Sequence, residues 1–466
     1  MFKFIMLLFL LPLSAFASGG MVDEIPNLSM TWVGILCLII FVVCYAIIAL
    51  EDQIHIDKAK PALFMGTIMF ILIAFYYAIN HFNMDIVHTQ SEHVIFEIAE
   101  IFFFLYVAMI YIESIIHMGI FDKLKYNLIS KGYTYRQLFW ITGFMSFFIS
   151  PLADNLTTAL ILSTVLYTIE KEKREFIVPS AINIVVASNA GGAWSPFGDI
   201  TTLMVWTSGK GNFLDFLYLF PSSFLGYFVT AFLLSKVVPN TSPSFSHEEK
   251  EPVVLEGADV VIKLGIFTII SAIISHQVLN LPPMWGMMFG LSMLKLYSFN
   301  LTKRKGKDHF NVFHAISKIE NNTLLFLFGI LAAVASLNFL GWLSLLVVVY
   351  EPSYLGNTLS NVSVGFISAI IDNVPVMSAI LKANPHMDLS QWMLVTLTAG
   401  VGGSLISFGS AAGVGVMGKL KDIYTFSSHM RYSWMILVGY FVSIAVWYFQ
   451  YQVLSIGIGR IKNGWK

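Results

Sequence analysis

Long apolar runs, separated by short polar or basic loops, dominate the pattern of this 466-residue chain. Runs of roughly 20 residues can cross about 30 Å of hydrocarbon as helices, because each helical residue adds 1.5 Å. Basic residues collect in alternate loops, such as the loop of Lys58 and Lys60 and the stretch from Lys123 to Arg136. Because basic loops stay on the cytoplasmic side, the pattern predicts an all-α polytopic membrane protein with about ten spanning helices.

A polar stretch, Ser150–Thr158 (SPLADNLTT), interrupts one of these apolar segments. The apolar arms on either side are each roughly 21–23 Å long at 1.5 Å per residue, so neither arm can span the membrane alone. Lysines and arginines flank the segment at both ends, which puts both ends on the cytoplasmic face. We therefore predict a re-entrant hairpin over residues 137–170, with Asp154 and Asn155 at its tip.

A second hairpin is predicted over residues 354–384, where Asp372 and Asn373 interrupt another apolar segment. Its flanks are nearly free of basic residues, so we expect it to enter the membrane from the outside. The two tips share one pattern, a serine (Ser150 or Ser368) followed four residues later by Asp-Asn. This correspondence indicates an internal repeat.

Glycine-rich stretches interrupt two further crossings, over residues 177–207 and 391–416. Glycines and a proline at membrane depth imply unwound backbone, which is tolerated only inside protein or beside a polar cavity. The pairs Gly191-Gly192 and Gly402-Gly403 align, and each broken helix follows a hairpin. Two inverted repeats with broken helices are typical of secondary transporters, whose substrate site lies between the repeats near the midplane.

The N-terminus is typical of a signal peptide over residues 1–17, in which Lys3 precedes an apolar core and a small-x-small cleavage site. Cleavage would leave the mature N-terminus outside, and an uncleaved anchor is the alternative. The rest is predicted as a first repeat at residues 30–236, a cytoplasmic linker at 237–256 and a second repeat at 257–452. Basic residues near the C-terminus fall on the outer side, against the usual charge rule.

Composition excludes the other broad classes of protein. Hydrophobic residues make up 57% and charged residues 12% of the chain, about half the charged fraction of a soluble protein. The sequence contains no P-loop and no nucleophile elbow, so we expect neither an enzyme nor a cofactor, and no nucleic acid partner. Cys37 and Cys44 lie on one predicted helix and favour a packing role.

The tips and broken helices concentrate oxygen ligands that suit small cations. The candidates are Asp154, Asn155, Thr157, Thr158, Ser368, Asp372, Asn373 and Ser378 at the tips, and Asn189, Ser195, Asp199, Thr201, Thr202, Ser407 and Ser410 in the broken helices. Three of them are carboxylates, and neither motif contains Lys or Arg. A cation 4 Å from one carboxylate gains roughly 4 kcal/mol at an effective dielectric of 20, and an anion would be repelled equally. The sequence therefore favours a cation substrate, unless an anion travels with its own counter-ions.

Burial and mutual repulsion favour the protonated form of at least one of these aspartates. A carboxyl that holds either a proton or a metal ion is the simplest device for antiport. The main Na⁺ ligands are then expected to be Asp154, Asn155, Asp372 and Asn373, with Glu100 on the proton path. The structural alternative is that Asp154 and Asp372 only cap half-helices.

Two strings, SPLADNLTTA at 150–159 and NAGGAWSPFGDITT at 189–202, resemble the signatures of NhaD-type sodium/proton antiporters. These belong to the ion transporter superfamily, with arsenite permeases and dicarboxylate carriers. The resemblance implies exchange of internal Na⁺, with Li⁺ as a second candidate, for external H⁺ in a bacterial inner membrane or a plant plastid envelope membrane. It also implies a protein with a scaffold and a moving transport domain, often a homodimer. Carried over by position, the functional residues are Asp154, Asn155, Asn189, Asp199, Thr201, Thr202, Ser368, Asp372, Asn373, Ser407 and Ser410, with Glu100 as an addition.

Three functions compete at this point. The first is a sodium/proton antiporter. The second is a cation-coupled carrier of arsenite or dicarboxylates, although dicarboxylate carriers have Ser-Asn-Thr at their tips where this chain has Asp-Asn. The third is a passive cation channel or a membrane scaffold.

Overall fold

The computed structural model describes residues 27–54, 56–170, 172–242, 251–305, 310–420 and 423–454. Helices make up most of this part of the chain, and it contains no β-strand. The predicted signal peptide, residues 1–17, lies outside the described residues, as do part of the linker (243–250) and the C-terminal residues 455–466.

The helices are numbered here in chain order. They are α1 (Trp32–Ala49), α2 (Glu51–Ile54), α3 (Ala59–Ile79), α4 (Met84–His117), α5 (Ile120–Ser130), α6 (Tyr135–Ala153), α7 (Asn155–Ile169), α8 (Arg174–Gly192), α9 (Ile200–Thr207), α10 (Phe213–Leu217), α11 (Phe220–Ser235), α12 (Ala258–Gln277), α13 (Met284–Lys305), α14 (Val312–Lys318), α15 (Asn321–Phe339), α16 (Ser344–Tyr350), α17 (Gly356–Ile370), α18 (Asn373–Ala383), α19 (Leu389–Gly402), α20 (Ala411–Lys419), α21 (Phe426–Met430) and α22 (Ser433–Tyr448), which continues as a π-turn, Phe449–Val453.

Six helical segments of the described chain are long and apolar enough to cross a membrane. They are α3, α4, α10 with α11, α12, α15, and α22 with its π-turn. Large apolar side chains on these helices are exposed, for example Phe64 and Ile71 on α3, as expected of surfaces that contact lipid. The predicted all-α polytopic membrane fold is confirmed.

The first hairpin consists of α6 and α7. A hydrogen bond at its base shows that the outer ends of the two arms lie side by side. Tyr135, at the start of α6, donates from its hydroxyl to Glu170, just after α7, over 2.6 Å. The helix begins two residues before the predicted residue 137, because Thr134 and Gln137 form a capping box. The second hairpin, α17 and α18, closes similarly, since the Asn357 side chain donates to the His386 carbonyl over 3.1 Å.

The helices pack into two bundles. Helices α1, α3, α4 and α12–α15 form one bundle, and the hairpins and broken helices pack with α11 and α22 in the other. Small residues allow the closest approaches in both. A Cβ on Gly66 of α3 would lie 2.4 Å from the Gly329 carbonyl of α15, and one on Gly226 of α11 would lie 1.8 Å from Ser443 Oγ of α22. The bundles meet chiefly along α15 and α18.

Each hairpin is held against its broken helix (α8–α9 or α19–α20) by matching contacts. Ser150 Oγ donates to the Ser188 carbonyl over 2.6 Å, and Ser368 Oγ donates to the Ala399 carbonyl over 2.8 Å. The backbone also approaches closely at Gly402, where an added Cβ would lie 2.4 Å from the Gly365 carbonyl. These contacts agree with the correspondence between the two motifs in the sequence. The boundaries of the repeats and their inverted orientation remain predictions.

Candidate functional site

The two hairpin tips meet at one carboxylate, that of Asp199. Asp199 is the N-cap of α9 and accepts a hydrogen bond from the Thr201 N–H on Oδ1, at 3.1 Å. Its Oδ2 accepts from Asn155 Nδ2 and from Asn373 Nδ2, each at 2.9 Å. The residue is only 5% exposed. A buried acid therefore contacts both tips at once, and its described hydrogen bonds come from neutral donors.

Asn189 extends this cluster to the second broken helix. Its Oδ1 accepts from Asn155 Nδ2 over 3.1 Å, and its Nδ2 donates to Ser404 Oγ and Ser410 Oγ, each at 2.8 Å. Ser410 is the N-cap of α20, the position that corresponds to Asp199 in the first broken helix. All of these side chains are buried. The last turn of α8 is thus linked by side-chain hydrogen bonds to the unwound stretch between α19 and α20.

The tip aspartates make their hydrogen bonds within their own hairpins. Asp154 accepts from the Thr157 N–H at 2.9 Å and from Thr157 Oγ1 at 2.8 Å, and so caps α7. Its φ of +53° lies in a region that non-glycine residues seldom adopt, so its backbone is strained. Asp372 caps α18 by accepting from the Val374 N–H at 3.3 Å. Both tip aspartates therefore cap the second helix of their hairpin.

Each tip aspartate lies next to a residue that donates to Asp199. Asp154 directly precedes Asn155, Asp372 directly precedes Asn373, and both asparagines donate to Asp199 Oδ2. The structure thus places all three aspartates where the two tips meet. The hydrogen bonds of the cluster converge most strongly on Asp199. From the sequence, Asp154 and Asp372 are instead expected at the centre of the site.

The predicted hydroxyl ligands fall into two groups. Thr157, Thr202 and Ser368 are hydrogen-bonded to groups of the protein, Thr202 Oγ1 to the carbonyls of Ser195 and Asp199. The side-chain oxygens of Thr158, Thr201 and Ser407 are buried, and none has a hydrogen-bond partner within the described chain. Buried polar atoms are rarely left unpaired. These three hydroxyls are therefore suited to hold a water molecule or a cation.

Two cavities approach the cluster from opposite sides. A cavity of about 110 Å³ contains Leu156, just beyond the first tip, and the acidic side chains of Glu51, Asp57 and Glu320. A second cavity, of about 290 Å³, lies on the opposite side of the cluster. It is lined by Glu97, Glu100, Thr207, Ser208, Ser378 and Lys382. Lys58 also lines the first cavity, but acidic groups outnumber lysines in both linings, so both cavities favour cations.

Glu100, the predicted proton-path residue, lines the second of these cavities and is only 9% exposed. Glu97, one turn earlier on α4, forms an ion pair with Lys382 of α18. This ion pair joins the two bundles at the edge of the cavity. The Glu100 carboxyl is thus placed between the cavity and the packed interior.

Three residues of this region were missed by the sequence-based reasoning. Ser404 directly follows the aligned glycine pair Gly402-Gly403, and that position could have marked it as a ligand of the unwound stretch. Tyr45 lies on α1, in the other bundle, and its hydroxyl accepts from the Asp372 N–H at 3.0 Å. His429 of α21 contacts the Ser404 carbonyl. A single Tyr or His outside the motifs gives no sequence signal for such a contact.

Known proteins resemble the chain over most of its length. The citrate transporter family profile matches residues 43–400. The Na(+)/H(+) antiporter NhaD of Alkalimonas amylolytica is 41% identical over 465 residues, covering 94% of each chain. The protein of the same name from Vibrio cholerae is 41% identical over 438 residues, 89% of this chain and 91% of the relative. That from Vibrio parahaemolyticus is 42% identical over 407 residues, 82% of this chain and 97% of the relative.

Proposed function

The chain belongs to the citrate transporter family, among its NhaD sodium/proton antiporters, and from this premise we propose that it exchanges Na⁺ for H⁺ at the Asp199 cluster. The observation that carries the proposal is that Asn155 and Asn373 both contact Oδ2 of this one buried carboxylate. Ion exchange is not enzyme chemistry, and it requires no cofactor.

Competition for the Asp199 carboxyl couples the two ions. A buried carboxylate that lacks a cationic partner is unstable, so it is neutralised either by a proton or by a metal ion. Oxygen atoms are the ligands that Na⁺ takes from proteins, and the unpaired hydroxyls of Thr201, Thr158 and Ser407 offer them. When Na⁺ arrives, the proton leaves the carboxyl, and when a proton returns, Na⁺ leaves.

The tip asparagines adapt the site to its two occupants. An Asn amide donates through its nitrogen and accepts through its oxygen. In this structure Asn155 and Asn373 turn their nitrogens to Asp199. Rotation of either amide by a half-turn presents its oxygen instead, which adds a ligand for Na⁺. Asp154 and Asp372 supply further negative charge at the two tips, as the sequence predicts.

The two cavities provide the routes to the site. Na⁺ reaches it through the acidic cavity beside Leu156, and protons reach it through the cavity that contains Glu100. The position of Glu100 supports the proton route, because Glu100 lies on α4 one turn after Glu97, which forms the ion pair with Lys382. We further propose that the protein resides in a bacterial inner membrane with its mature N-terminus outside, and that it acts as a homodimer.

Proton movement in proteoliposomes tests the exchange. The purified chain is reconstituted with an imposed pH gradient, and addition of Na⁺ or Li⁺ should dissipate the gradient, while choline should not. Asp199→Asn should abolish the response. Asp259→Asn, at an exposed acid paired with Lys263, serves as the matched control and should retain it. No response of the wild-type protein to either cation contradicts the exchange.

The same preparation separates the alternatives. Cation-dependent uptake of arsenite or succinate would instead identify an anion carrier, which the absence of Lys and Arg from both tip motifs disfavours. Na⁺ current that neither saturates nor moves protons would identify a channel.

A further inference from the structure

A buried hydrogen-bonded chain runs from α21 to the centre of the candidate site. The Tyr424 hydroxyl lies 2.6 Å from His429 Nδ1, and His429 Nε2 lies 3.0 Å from the carbonyl oxygen of Ser404. Ser404 in turn accepts on Oγ from Asn189 Nδ2 at 2.8 Å. Tyr424, His429 and Ser404 are all fully buried. This series of hydrogen bonds is therefore shielded from water along its length.

The partners of His429 determine which ring nitrogen carries the proton. A carbonyl oxygen can only accept, so Nε2 must carry the hydrogen that points to Ser404. Nδ1 then accepts from the Tyr424 hydroxyl. Neutral His429 satisfies both contacts, and Tyr424 holds the required tautomer.

The carbonyl that His429 contacts belongs to unwound backbone. Ser404 follows α19, and residues 403–410 separate that helix from α20. Carbonyls at a helix C-terminus lack intrahelical partners, and within a membrane they must be satisfied by other groups. His429 supplies the donor for Ser404, and this fixes the backbone from which the Ser404 hydroxyl reaches Asn189.

We propose that His429 is a positioning residue for the cation site, which orients the unwound backbone at Ser404 so that the serine hydroxyl and Asn189 hold the geometry around Asp199. This inference rests on the proposed exchange function. The two repeats differ at this position. The position that corresponds to Ser404 in the first broken helix is Ala193, which has no side-chain polar group to orient.

The test compares His429→Gln with His429→Leu. A glutamine side-chain N–H can replace the Nε2–H donor, whereas leucine fills similar space without a donor. We expect His429→Leu to raise the Na⁺ concentration for half-maximal exchange by about tenfold, and His429→Gln to restore most of the affinity. Tyr424→Phe, which removes the group that sets the tautomer, should cause a smaller rise in the same direction.

A matched control removes a similar bond far from the site. Trp447 of α22 donates from Nε1 to the Ser390 carbonyl at the other end of α19, over 3.1 Å. Trp447→Phe should lower the thermal unfolding temperature in detergent without changing the half-saturating Na⁺ concentration. A merely structural role for His429 predicts the same behaviour for His429→Leu, and that result would overturn the proposal.

Equal losses in His429→Leu and His429→Gln would also overturn it, since the donor would then be irrelevant. These outcomes are distinct from a failure of the exchange function, in which the wild-type protein itself does not respond to Na⁺.

Discussion

Asn373 donates to Oδ2 of Asp199 over 2.9 Å, although 174 residues separate them along the chain. The donor is at the tip of the second hairpin, and the acceptor begins the second half of the first broken helix. Because Asn155 of the first hairpin donates to the same oxygen, the protonation and ion occupancy of Asp199 affect both tips.

The tip aspartates can be tested separately from their capping role. Asn caps a helix about as well as Asp, so Asp154→Asn and Asp372→Asn should retain the fold. We expect each to abolish exchange, because each removes a negative charge beside the ion. The measurement is Na⁺-induced dissipation of an imposed pH gradient, with circular dichroism to verify folding. Wild-type rates in both variants would leave these residues with a capping role alone.

Removal of one tip donor should weaken Na⁺ binding. Asn373→Leu deletes a hydrogen bond to a charged group and the oxygen that its amide could present to Na⁺. We expect the half-saturating Na⁺ concentration to rise by at least about tenfold, equivalent to ~1.4 kcal/mol. Asn361→Leu is the matched control, because Asn361 is a buried asparagine of the same hairpin that donates instead to Gln391. If both variants show the same Na⁺ dependence, the contact with Asp199 has no specific role.

The contact between α1 and the second tip should also matter for affinity. Tyr45→Phe removes the hydroxyl that accepts from the Asp372 N–H. Loss of a neutral hydrogen bond should raise the half-saturating Na⁺ concentration by roughly two- to tenfold. Tyr111→Phe removes a comparable tyrosine hydroxyl, which donates to the Gly290 carbonyl at 2.8 Å within the bundle that also contains α1. This variant should leave the Na⁺ dependence unchanged. If Tyr45→Phe has the same half-saturating Na⁺ concentration as the wild-type protein, the contact between Tyr45 and Asp372 makes no contribution to affinity.

Competition between the two ions predicts a definite pH dependence. Protons and Na⁺ bind the same carboxyl, so lowering the pH fills the site with protons. In the acidic limit the half-saturating Na⁺ concentration should rise by about tenfold for each unit of pH, while the maximal rate at saturating Na⁺ is retained. Initial rates of exchange over a matrix of Na⁺ concentrations and pH values provide the measurement. A half-saturating concentration that is independent of pH would indicate separate sites for the two ions.

Close backbone packing between the second hairpin and its broken helix should be sensitive to a single methyl group. A Cβ at Gly402 would lie 2.4 Å from the Gly365 carbonyl oxygen, so Gly402→Ala should destabilise the protein by about 1–3 kcal/mol. Gly418, near the end of α20, has open space where its Cβ would be. Gly418→Ala should therefore be neutral or stabilising. Thermal unfolding of both variants in detergent checks the difference, and equal stabilities would contradict it.

The sequence predicted the hairpins because their physics is local. Arms too short to span, basic flanks and an Asp-Asn tip can all be identified without tertiary contacts, and the bases of both hairpins are closed by hydrogen bonds in the structure. The starts of α6 and α19 each lie two residues before the predicted ones, because side-chain caps decide them. The second broken helix, for example, starts at Leu389 because Asp388 caps it.

The centre of the site could be predicted only in part. Sequence reasoning identified Asp199 and both asparagines as candidates, but the sharing of one oxygen depends on how two distant hairpins pack. Tyr45 and His429 gave no sequence signal, since each is a single polar residue whose role depends on a partner outside its own helix. Such residues are identified from the hydrogen bonds that they make in the structure.

Ser410 occupies the position in the second broken helix that Asp199 occupies in the first. The two broken helices therefore place one ionisable group at these paired positions, where two identical halves would place two. Because Asn155 and Asn373 both contact Oδ2 of that group, a single occupant of Asp199 alters the contacts of both tips together.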